Sequence, residues 1–174
     1  MRHILFCGIA LLLSACVLHS KTPIFSDAEA TPLLGSQKIT FAVFERKDGA
    51  WVASDEPLIT AIPEGRHYRV PDPATPDDLQ SADRYAFIAL DPAHYAVQAS
   101  SGGAADYAIA TWDGTGLLVS PLDCAALKTS LKSNAIVQFI DDACALRPSA
   151  APPKDLFTQL MQAAPEPTLL LVRQ

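Results

Sequence analysis

The side chains of this 174-residue sequence best equipped for chemistry are His19, His67, His94, Cys124 and Cys144. Imidazoles and thiolates hold zinc when they recur at close helical or knuckle spacing, and no pair among these five does. The spacing therefore predicts neither a metal site nor a cofactor. His67 and His94 each precede a tyrosine inside a β-prone run, and they read as partly exposed strand residues rather than a general base. Serine hydrolysis needs Gly-x-Ser-x-Gly or Ser-x-x-Lys; the first is absent, and Ser130 meets Ser133 where the second requires lysine. Ser100-Ser101-Gly102-Gly103 lacks the lysine and the following helix of a phosphate cradle. Asp113-Gly114-Thr115-Gly116 has the chemistry of a hairpin turn, not of one half of an aspartic-protease pair. Asp72, Asp77, Asp78 and Asp83 carry calcium-binding oxygens, but Pro71, Pro73 and Pro76 interrupt them and the EF-hand spacing is missing, so a solvated loop is expected. No catalytic residue is assigned.

The elements expected to position these residues begin with a hairpin. Residues 39–44 and 51–53 are β-prone and flank Asp48-Gly49. Further short runs at 58–62, 67–70, 85–90, 94–99, 107–112 and 117–120 are separated by Gly, Pro or Asp. Gaps this short favour antiparallel pairing, because a parallel crossover needs a dozen residues or more. The period then changes. Cys124, Leu127 and Leu131 share one helical face after a capping Asp123, and Leu156, Phe157, Leu160, Met161 and Ala164 share another, begun by Pro153 and stopped by Pro165. Strands are expected at 136–140 and 169–172. The pattern predicts an α+β fold, an antiparallel β-sheet meander with two short helices near the C-terminus, with an all-β sandwich as the alternative. Residues 17–36 carry turn formers without a period and read as a flexible tether, leaving 37–174 as a single globular domain.

At the start, Met1, Arg2 and His3 precede an uncharged run over residues 4–13. Ten helical residues rise about 15 Å against a hydrocarbon core of about 30 Å, so the run fits a cleaved signal core better than a membrane span. The sequence that follows it, Leu13-Ser14-Ala15-Cys16, resembles the lipobox of bacterial prolipoproteins. The resemblance implies removal of residues 1–15 as a lipoprotein signal peptide and lipidation of Cys16 with diacylglycerol, often with a further acyl chain such as palmitate. Val17 stands where an aspartate would retain an enteric lipoprotein on the inner membrane, so the resemblance points to the periplasmic face of the outer membrane. With Cys7 removed and Cys16 acylated, Cys124 and Cys144 are the two cysteines left in an oxidising compartment, and one disulfide between them is expected.

Cleavage would remove one of 13 basic residues, Arg2, and none of the 19 acidic ones, leaving a formal charge of −7. An acidic body without a basic tract repels phosphate backbones, which argues against nucleic acid as a partner. The expected function is a non-enzymatic binding or accessory module of the envelope, held by membrane lipid through Cys16 and open to an envelope protein partner. The alternatives are an envelope hydrolase assembled only in three dimensions, or an inhibitor of a cationic extracellular enzyme. A deep pocket placing His67 or His94 beside an aspartate would favour the enzyme; an apolar surface would favour binding.

Overall fold

Asp48 and Gly49 both adopt positive φ, 52° and 82°, the backbone that a tight hairpin turn with the twist of its strands requires. The computed structural model describes residues 17–131, 137–140, 143–147 and 152–174. Its strands are β1 (His19–Ser20), β2 (Ile39–Lys47), β3 (Ala50–Ala53), β4 (Ile59–Glu64), β5 (His67–Val70) and β6 (Asp83–Ala89). They are followed by β7 (His94–Ser101), β8 (Ala104–Trp112), β9 (Gly116–Pro121), β10 (Val137–Ile140), β11 (Ala143–Leu146) and β12 (Leu169–Arg173). Helix α1 (Cys124–Ser130) lies between β9 and β10, and α2 (Pro153–Ala163) between β11 and β12.

The sheet closes on itself. From β2 the neighbours run β4, β5, β6, β7, β8, β9 and β12, and β12 pairs back to β2 with Leu171 opposite Val43. All eight pairings are antiparallel, so this is a closed eight-stranded barrel and not the α+β meander the periodicity predicts. Nor is it a sandwich, because one sheet supplies the whole wall. The two helices stand where the helical period places them, but each is short and rests on the outside of the wall. What the period does not reveal is closure, which depends on β12 pairing with strands far away in sequence. The other four strands sit on the barrel: β3 extends β2, while β1 takes the edge of β8 beyond β9 and leads on to β11 and β10.

Alternation along the strands gives two cores. Phe41, Val43, Ile59, Ala61, Tyr68, Tyr85, Phe87, Val97, Ala108, Leu117 and Val119 face the barrel interior. The opposite faces of β6 to β8 present Ala86, Ile88, Ala96, Tyr107 and Ile109 to a second core outside the wall. This second face explains why β6 to β8 read as continuous apolar runs rather than as strict alternation.

The outer core corrects the expectation of a tether over residues 17–36. Leu18, Phe25 and Ala30 are buried in it against α1, α2 and the wall. Buried Gln98 fastens the segment: its Oε1 accepts from the backbone N–H of Ile24 and Phe25 at 3.1 and 3.0 Å, and its Nε2 donates to the Phe25 carbonyl. Ser20 meets the Tyr107 hydroxyl at 2.7 Å. The globular body therefore includes this segment instead of starting at Gln37.

Cys124, at the start of α1, is bonded to Cys144 on β11, with Cα atoms 5.5 Å apart. A link spanning a separation of 20 residues stabilises a domain by about 3 kcal/mol through restraint of the unfolded chain. Replacing both cysteines by alanine is expected to lower unfolding free energy by about that amount in a urea titration. An unchanged midpoint would contradict it.

Candidate functional site

The barrel interior holds a cavity of about 80 Å³. A buried water occupies roughly 15 Å³ on this scale, so the space takes a few waters or a short apolar group. Its lining is almost wholly hydrocarbon, with Phe41, Phe87, Val97, Ala108, Leu117 and Leu171 among it. Leu34, from the segment before β2, also lines the cavity and is held there by Tyr68, whose hydroxyl accepts from the Leu34 N–H and donates to the Gly35 carbonyl.

One level of the wall is polar. The register sets Tyr68 beside Tyr85, Tyr85 beside Ala99, and Ala99 beside Asp106, so four adjacent strands place two phenols and a carboxylate in one row inside the barrel. Ala99 is the small residue in that row and leaves open space between Tyr85 and Asp106. The Tyr85 hydroxyl is buried and makes no hydrogen bond among the described residues. Burial first, then the carboxylates Asp83 and Asp106, push its ionisation far above the ordinary phenol range. An unpaired buried hydroxyl carries a desolvation cost of about 1–3 kcal/mol, and it lines the cavity.

Asp83 stands two residues before Tyr85 on the same face of β6. Burial raises its pKa, a hydrogen bond with Ser101 opposes the rise, and Asp106 adds to it. Asp106 is 29% exposed, so this end of the cavity reaches solvent, where His19 Nδ1 contacts Asp106 Oδ1 at 2.9 Å. Val17 also lines this rim and bridges to Asp123.

A carboxyl whose folded pKa is raised costs stability that grows as the pH rises above its unfolded value, about 3.9, and levels off once it ionises in the folded state. Asp83→Asn is therefore expected to melt above the parent at pH 7, with the gain shrinking as the pH falls toward about 4 and gone below it. Equal melting temperatures at neutral pH would show that the carboxylate is not strained there.

The residues singled out from sequence lie elsewhere. His67 is buried on the outer face of β5, its Nε2 3.2 Å from Asp27 and its Nδ1 3.1 Å from the Arg84 guanidinium, where it helps to fasten the outer segment. His94 bonds Asp91 at the β6 to β7 turn. Both are histidine–aspartate pairs, yet neither lines the cavity. Asp113 caps its own turn through Thr115 and Gly116, and Gly102 and Gly103 form the β7 to β8 turn. Asp72, Asp77 and Asp78 lie on an exposed loop, whereas Asp83 belongs to β6. Cys7, Cys16 and the lipobox fall outside the described residues.

Tyr85 and Asp106 escaped sequence reasoning, and Asp83 drew notice only as part of an acidic stretch, because they come together only through register across adjacent strands. The one local signal was a carboxylate inside an apolar run, Asp106 between Ala105 and Tyr107. Fold and cavity define a closed β-barrel with an apolar chamber and an acidic, solvent-reaching rim. Compared with protein-family models, curated proteins and solved structures, the chain matches none.

Proposed function

We propose that this chain is a lipid-anchored protein of the bacterial envelope that binds a small, largely apolar ligand inside its barrel. The binding half of the reading rests on the cavity: eight strands enclose just enough room for side chains to fill or for one small ligand, and here the side chains leave the centre open. The distribution of polarity supports a ligand chamber over a lipid-spanning barrel. A barrel in a membrane is apolar outside and polar within, whereas this one is apolar within and carries His67, Arg69, Arg84 and Gln98 on the outer faces of its strands.

Calorimetric titration with 1-hexanol tests the chamber. One molecule per chain is expected to bind at millimolar affinity or tighter, and Ala108→Phe, which fills the cavity, is expected to remove the heat. Absence of binding to the parent chain would overturn the reading.

The anchor half rests on Leu13-Ser14-Ala15-Cys16 and on the charge-free run before it. Val17 after the cysteine favours the periplasmic face of the outer membrane. Cys16→Ala is expected to abolish both labelling by palmitate and release of residues 1–15 by the lipoprotein signal peptidase. A variant that still labels would defeat the assignment.

A further inference from the structure

We infer that the ligand of the barrel is a small hydrophobic amine, its protonated nitrogen held between Asp106 and the Tyr85 hydroxyl, with Asp83 nearby, and its hydrocarbon body in the chamber. The inference rests on the binding role proposed above and adds the head group. Among the described residues no lysine or arginine lines the cavity, so a carboxylate or phosphate head would find no cation inside. It would face the Asp106 carboxylate instead. A neutral hydroxyl would satisfy Tyr85 but bring no positive charge to set against Asp106.

An ammonium group answers both demands together. It donates to the phenol oxygen, which lacks a partner among the described residues, and to the Asp106 carboxylate, whose charge it offsets. His19 does not pre-empt this role. It contacts Oδ1 of Asp106 from the rim and is 44% exposed, so its ring lies toward solvent. Asp83, two residues before Tyr85 and so on the same face of β6, adds a second carboxylate close to Tyr85 just beyond the cavity lining. The small side chain of Ala99 leaves the gap between β6 and β8 into which the head group fits.

Three probes with the same tail separate the possibilities: 1-hexylamine, 1-hexanol and hexanoate, titrated calorimetrically into the purified chain at pH 7. The amine is expected to bind at least tenfold more tightly than the alcohol, and hexanoate the most weakly. Asp106→Asn is expected to erase the preference of amine over alcohol while leaving alcohol affinity within about twofold, and Asp83→Asn to reduce that preference. These comparisons need no variant to decide them, since the parent chain alone ranks the heads. Equal affinities, or a preference for hexanoate, would overturn the amine assignment and leave the chamber standing. Failure of all three to bind would overturn both.

Discussion

A chain beginning at Gln37 is expected to lose its cooperative melting transition, while one beginning at Val17 keeps it. The missing segment contributes Leu18, Phe25 and Leu34, all buried, and each large apolar side chain fully withdrawn from water is worth about 1.5–3 kcal/mol. Three of them reach about 5–9 kcal/mol, against the 5–15 kcal/mol that holds a typical domain. Removal also strands Gln98 and Tyr107, whose polar atoms are satisfied by Ile24, Phe25 and Ser20, and unpaired buried groups add their own cost. Circular dichroism on heating checks this. Equal midpoints for the two chains would mean that the segment does not pack as described.

Phe157→Ala is expected to cost about 3–5 kcal/mol, the range for a large aromatic removed from a closed core. Phe157 is 0% exposed and stands between two rings, Phe25 at 5.1 Å and Tyr107 at 5.2 Å between centroids. It is the point where α2, the outer segment and the barrel wall meet, so no single element can collapse to fill the space. A urea titration reads the loss, and a change below about 1 kcal/mol would contradict the packing. The Phe25→Ala, Phe157→Ala cycle should show coupling of about 0.5–3 kcal/mol, because each ring is the other's neighbour.

The strands were legible for a local reason. Asp48-Gly49, Gly102-Gly103 and Asp113-Gly114 supply turn chemistry, and the apolar runs between them became strands of the barrel. Asp123 capping α1 and Pro153 opening α2 were equally local. Closure was not, since Leu171 opposite Val43 is a pairing across most of the chain. The segment over residues 17–36 misled for the opposite reason. Its buried residues, Leu18, Phe25, Ala30 and Leu34, follow no period because they dock one by one onto a wall made elsewhere, and an aperiodic anchor looks like a linker. The histidines attracted attention by residue type, yet the chamber is carried by Tyr85 and Asp106, ordinary strand residues until β7 sets them on one level.

Val17 lines the acidic rim and is fixed to Asp123, and the next residue back along the chain is Cys16. Neighbouring Cα atoms lie about 3.8 Å apart. If Cys16 carries lipid as proposed, there would be little slack between anchor and mouth, and the entrance would be held close to the headgroups. A guest would then arrive by lateral diffusion within the leaflet, drawn from a two-dimensional reservoir in which hydrophobic amines concentrate, and its encounter rate would follow its partitioning into lipid more than its concentration in water.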